Sequence, residues 1–223
     1  MSVEVVVFDV HQTLACWPEG RVTSVEVQEL LSRFGVEISY WAFDTARQAV
    51  LLLEAPRRRI EGWTDFLAQV FATMRVSVSV DLLTSLTAIY EQRENMTLYP
   101  EALDAVDAAR AAGKRVCTFT TLPPFSLGSA GRQLLPKIQH YFDCATVGVA
   151  KGDRRFYRRI TERLGVRPDR ILCVGDTPIA DVRLPVECGW QAVLLDRDGK
   201  LADIRAGQRG TVATLSELGR YYS

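Results

Sequence analysis

The amino-acid sequence predicts an α/β protein, a doubly wound parallel sheet with an all-helical segment inserted near its start, and three observations predict it. Short apolar runs rich in β-branched residues recur at residues 3–8, 115–119, 144–149, 171–174 and 192–195. Their hydrophobicity is nearly continuous instead of alternating, which marks strands buried on both faces. Helical patterns separate the later runs, and strands alternating with helices favour a parallel sheet covered on both sides. Between Leu14 and about Met96, by contrast, helical periodicity continues with little strand signal.

Each element has local support. Pro100 suits a first helical position, Leu103 and Val106 fall on one face of the turns that follow, and Gly113 is placed to end that helix. Asp153 can cap the next one, where Phe156, Ile160 and Leu164 recur every four residues until Gly165. The inserted segment reads as four helices over roughly residues 23–34, 39–53, 63–75 and 81–94, starting near Thr23 or Ser24, Ser39, Trp63 and Asp81. The stretch TLYPEALD then returns the chain to the sheet. This divides the protein into a core of residues 1–14 and 98–223 and a helical subdomain of residues 15–97. Trp17, Trp41 and Trp63 read as the subdomain's core, His140 as the exposed end of a helix, and Pro185 as a kink in the helix after Asp181.

Composition narrows the function classes. Lysine and arginine total 27 and aspartate and glutamate 27, so no overall field attracts nucleic acid or an anionic membrane. The five cysteines, Cys16, Cys117, Cys144, Cys173 and Cys188, contain no CxxC pair, which argues against a disulfide framework and a zinc site. No segment reaches the roughly 18 apolar residues of a membrane span, and acidic Glu4 stands where a signal peptide carries basic residues. A cytoplasmic monomer or homodimer is expected, acting on a small molecule without nucleic-acid or membrane partners.

In an open parallel sheet, ligands bind beyond the carboxyl ends of the strands. Four such ends carry polar residues: FDVHQT with Asp9, VCTFTT with Thr120 and Thr121, VGVAKG with Lys151, and LCVGDTPIAD with Asp176 and Asp181. Three carboxylates in one crevice repel strongly, since two charges about 4 Å apart cost on the order of 4 kcal/mol at an effective dielectric near 20. Lys151 supplies one compensating charge, and a hard divalent ion such as Mg²⁺ would supply the rest. A carboxylate can attack phosphorus to form an aspartyl-phosphate, and threonine, lysine and backbone amides can clamp the transferring group.

These segments, in this order, resemble the four motifs of the haloacid dehalogenase (HAD) superfamily, and the helical insert resembles the cap of many members. VVVFDVHQTL is similar to motif one, KRVCTFTT to motif two, Lys151 to motif three and ILCVGDTPIAD to motif four. The resemblance implies a Rossmann-like core in which Asp9 is nucleophile and metal ligand and the His11 carbonyl is a further ligand. It also implies that Thr120 binds the phosphoryl group, that Lys151 neutralises it, and that Asp176 and Asp181 hold Mg²⁺. Phosphatases of the family carry an aspartate and then usually a glycine where this chain has His11 and Gln12.

The reading that follows is a Mg²⁺-dependent phosphatase acting on a small phosphorylated metabolite. Thr121 and cap arginines Arg57, Arg58 and Arg59 are its candidate substrate contacts. His11 would take the acid/base role, with the acidic crevice expected to favour its charged form. A 2-haloacid dehalogenase, in which the same aspartate attacks carbon without a metal, is the first alternative. The second acid of GDTPIAD argues against it, because it would only repel a carboxylate substrate. A weakly active or non-catalytic ligand-binding relative is the other.

Overall fold

The computed structural model describes residues 2–17, 19–201 and 207–222. In chain order the first elements are β1 (Val5–Phe8), β2 (Ala15–Cys16), α1 (Ser24–Arg33), α2 (Tyr40–Ala49), α3 (Trp63–Met74), α4 (Val80–Arg93) and β3 (Thr97–Leu98). They are followed by α5 (Ala102–Ala111), β4 (Arg115–Phe119), α6 (Gly128–Leu134), β5 (His140–Phe142), α7 (Cys144–Val147), α8 (Arg154–Leu164), β6 (Ile171–Gly175), α9 (Leu184–Glu187), β7 (Gln191–Leu195) and β8 (Gly210–Val212).

The main sheet has the order β5-β4-β1-β6-β7-β8, and every neighbouring pair runs parallel. Its strands alternate sides as a pleat requires. Val6 and Phe8 of β1 join one apolar core with Val106 and Leu172, while Val5 and Val7 join a second with Phe156 and Ile160. Both faces are therefore covered, which accounts for the unbroken apolar runs. The chain leaves β1 toward β4 on one side and later fills β6 on the other, so the crevice opens beyond the end of β1.

Helices α1 to α4 pack around a separate apolar core that includes Leu31, Phe43, Trp63, Phe71 and Leu86. Thr23, Ser39 and Ser79 cap α1, α2 and α4, and Thr23 forms a reciprocal capping box with Glu26. Helix α2 runs on as a wider π-helical turn over Val50–Glu54. The two crossings between insert and core are joined by the antiparallel β2–β3 pair.

Four local expectations change. Residues 144–149 are not a strand: Asp143 and Thr146 cap each other, Cys144–Val147 forms α7, and Gly148 ends it at φ 74°. A short apolar run does not by itself distinguish a buried strand from a buried helix turn. The strand comes earlier, as β5, so His140 begins a strand and pairs with Cys117. Trp63 is buried, but Trp41 is 77% exposed, because Phe43, Ala46 and Val50 take the inward face of α2 and Trp41 lies about 200° from Phe43 around the axis. Pro178–Arg183 is wound as a π-helical turn before α9, and Pro185, second in α9, has no N–H to extend an α-helical ladder backward. Among the described residues no helix is long and apolar enough to cross a membrane.

Candidate active site

Three strand ends deliver the polar groups. Asp9 follows β1 directly, is 4% exposed, and its amide donates to Val174 O of β6 at 2.8 Å. Thr120 follows β4, fully buried, with its amide on Phe142 O at 2.9 Å and its Oγ1 accepting from Leu122 N at 3.1 Å. Asp176 follows β6, and Thr13 donates its hydroxyl to Asp176 Oδ1 at 3.5 Å.

Lys151, in the turn before α8, and Asp181, in the π-helical turn, complete the centre. Lys151 Nζ lies 2.5 Å from Asp9 Oδ1 and 2.8 Å from Asp181 Oδ1, and 4.1 Å from the centre of the Phe119 ring. Asp181 is held by the Thr177 amide, which donates to Oδ2 at 2.8 Å. Its Oδ1 is buried and has no hydrogen bond, so the Lys151 ion pair is its only compensation among the described residues. This close placement depends on Gly175, where an added Cβ would stand 2.4 Å from the Asp181 carboxylate.

One ligand oxygen from each of Asp9, Asp176 and Asp181 lies within 4.8 Å of the others, and among the described residues a single ammonium, that of Lys151, pairs with them. Burial, opposed by Lys151 and reinforced by Asp181 and Asp176, pushes the Asp9 carboxyl up to about 7. Asp176 is raised by burial and by Asp181. Burial alone would lower Lys151, but Asp181 and Asp9 outweigh it and hold the ammonium charged. Three clustered carboxylates against one ammonium, an all-oxygen donor set with excess negative charge, fit a hard divalent cation such as Mg²⁺.

His11 departs from expectation. Burial lowers its basicity, and Arg21 and Lys151 lower it further, so the neutral form is favoured. The charges that act on the ring are the cations Arg21 and Lys151, and among the described residues Nε2 is buried without a hydrogen-bond partner. The Trp17 ring stands 6.0 Å away, half-buried between His11 and the Arg21 guanidinium, which is 4.5 Å from the Trp17 ring centre.

Beside the centre, a cleft of about 470 Å³ lies between the insert and the strand ends, lined among others by Arg59, Ile60, Thr121, Phe125 and Asp143. The three arginines part company here. Arg57 pairs with Glu54 at 3.1 Å and Arg58 with Asp65, while Arg59 lines the cleft with no ion pair or hydrogen bond among the described residues. Sequence reasoning brought together Asp9, Lys151, Asp176 and Asp181 but missed Thr13 and Gly175. Thr13 sits inside the quoted first motif, and its value became visible only through Asp176, 163 positions away.

A family model of haloacid dehalogenase-like hydrolases matches residues 3–187, most of the chain. The chain belongs to the haloacid dehalogenase-like hydrolases. Solved structures of the family share its fold at low identity. A 2-haloacid dehalogenase from Pseudomonas syringae pv. Tomato DC3000 superposes with a TM-score of 0.71 at 17% identity, covering 98% of this chain and 97% of that one. A HAD phosphatase from Thermococcus onnurineus gives 0.61 at 22% identity, with 98% and 97% covered. The magnesium-bound putative HAD-hydrolase YfnB from Bacillus subtilis gives 0.60 at 16% identity over 100% of both chains. No curated protein sequence matches significantly. Dehalogenases and a phosphatase of the family thus share one architecture, and the reaction must be argued from this chain's own side chains.

Proposed function

We propose that this HAD-like hydrolase is a Mg²⁺-dependent phosphatase of a small phosphorylated metabolite. The observation that carries the reading is the cluster of Asp9, Asp176 and Asp181 around one lysine. Asp9, Asp176, Asp181 and the His11 carbonyl would hold the metal, which supplies positive charge against the substrate phosphate. A magnesium-bound structural relative is in keeping with this.

The residues then divide the work. Lys151 occupies Asp9 Oδ1, leaving Oδ2, which makes no hydrogen bond among the described residues, to attack phosphorus. The new Oδ2–P bond forms as the ester P–O bond breaks, and the leaving oxygen takes a proton from solvent water to depart as alcohol, a proton that His11 returns to solvent after the second step. Thr120 and Lys151 steady the transferring phosphoryl group. Water next attacks the aspartyl-phosphate and gives a proton to neutral His11, the P–Oδ2 bond breaks, and inorganic phosphate and the Asp9 carboxylate are released. Arg59 and Thr121 face the cleft in which the leaving group would lie.

A second reading, the 2-haloacid dehalogenase, draws on the non-acidic residue at position 11 and on the dehalogenases among the structural relatives. Asp176 opposes it, since a second acid beside Asp181 repels a carboxylate substrate. Purified protein with Mg²⁺ is expected to hydrolyse an aryl phosphate, to lose that activity to chelator, and to lose it in Asp9→Asn. Halide release from a 2-haloacid without metal would replace this reading with the dehalogenase, and silence in both assays would favour a ligand-binding relative.

A further inference from the structure

After Asp9, side chains from three distant stretches close on one tight turn. Val10 O accepts from the amides of Thr13 at 3.3 Å, Leu14 at 2.9 Å and Ala15 at 2.9 Å, and Gln12 N donates to Ala15 O at 2.7 Å. Closing the turn this way holds Gln12 at φ 61°. That left-handed conformation costs a residue with a Cβ on the order of 1 kcal/mol, a strain that contacts from outside the turn can help offset.

Arg197, in the turn after β7, is placed to do so. Its Nη2 donates to Thr13 O at 2.9 Å and its Nε to Gln12 O at 3.4 Å. Its Nη1 meets Glu101 Oε1 at 2.5 Å, and the guanidinium stacks 3.7 Å from the centre of the Tyr99 ring. Tyr99 in turn donates its hydroxyl to Gln12 Oε1 at 2.7 Å. With Arg197 only 21% exposed, its planar fork spans two carbonyls, a carboxylate and an aromatic face at once, which a lysine's single point charge does not. The same turn carries His11 and aims the Thr13 hydroxyl at Asp176.

We infer that Arg197, clamped between Glu101 and Tyr99, is a positioning residue that locks the turn of residues 10–15 and so sets the placement of Asp9, His11 and Thr13 for chemistry. The lock is a property of the turn; its kinetic consequence rests on the phosphatase reading. Displacing reacting groups by about 1 Å costs about 10²-fold in rate, and a lock that touches no substrate acts on kcat and spares KM.

The test uses Arg197→Met and Arg197→Lys in the full chain. Amide hydrogen exchange at Thr13, Leu14 and Ala15 is expected to quicken at least about tenfold in both variants while β1 stays as protected as before. With an aryl phosphate, kcat is expected to fall about 10²-fold with KM nearly unchanged. Adding Gln12→Gly to Arg197→Met is expected to restore part of kcat, since glycine enters the left-handed region without strain. A merely structural arginine would lower thermal stability without that rescue. Unchanged exchange at residues 13–15, or a loss confined to KM, would overturn the inference. If the wild-type protein hydrolyses no phosphate ester, the phosphatase reading fails, and hydrogen exchange alone still decides the lock.

Discussion

Lys151→Met removes the one cation of the centre while keeping the bulk that packs on Phe119. In the native fold its side chain is 8% exposed, and the carboxylates it meets are 6% exposed for Asp9 and 0% for Asp181. Removing one partner of a buried pair costs about 3–5 kcal/mol, because the charge left behind is neither solvated nor compensated. Two carboxylates share this ammonium, so the upper end of that range is expected near pH 8 in chelator. The pH dependence has a definite sign. Asp9 already titrates at about 7, above its unfolded value of 3.8, so ionising it opposes folding between those two values and above. Without Lys151 its folded pKa rises further. The gap between variant and wild type is therefore widest above about pH 8 and narrows toward about pH 5, where the carboxyl is neutral in both. Urea unfolding at several pH values with chelator measures it. A loss below about 1 kcal/mol at pH 8, or one that does not vary with pH, would refute the buried-charge argument.

The same reasoning predicts that Asp9→Asn, while abolishing activity, stabilises the chelated protein by about 1–3 kcal/mol near pH 8, with the gain fading in acid; thermal melts check this. Mg²⁺ is expected to raise the wild-type melting temperature, by the equivalent of about 2.7 kcal/mol at one hundred times its dissociation constant, and to raise it far less in Asp176→Asn. Gly175→Ala is expected to destabilise by about 1–3 kcal/mol and to weaken Mg²⁺ binding in calorimetry, because the new methyl meets the Asp181 carboxylate at 2.4 Å. In the insert, Phe43→Ala should cost about 3–5 kcal/mol, whereas Trp41→Ala should stay within about 0.5 kcal/mol, as denaturant midpoints would show.

How far the sequence could be read depends on the range of the interaction that decides each feature. The strands at residues 3–8, 115–119 and 171–174 were legible because burial on both faces leaves a continuous apolar run, and the helix from Arg154 to Leu164 because Asp153 and Gly165 bracket a four-residue repeat. Asp9, Lys151, Asp176 and Asp181 were legible because each directly follows an apolar run or opens the next helix. The run at 144–149 was misread, since four buried residues have too little periodicity to separate strand from helix turn, and Trp41 was misread because hydrophobicity alone does not say which face a residue takes.

The sequence by itself determined the doubly wound fold, the helical insert and the residue types gathered beyond the strand ends, all of which follow from local pattern and from the chain order of the motifs. Only the tertiary structure decided how those residues are charged and held. The lowered basicity of His11 comes from burial and from Arg21 and Lys151, ten and 140 positions away. Gly175 matters because the Asp181 carboxylate folds back against it, and the Asp9 loop is pinned by an arginine 184 positions beyond Thr13. Charge state, close approach and strain depend on distances across the fold, and spacing along the chain carries no record of those distances.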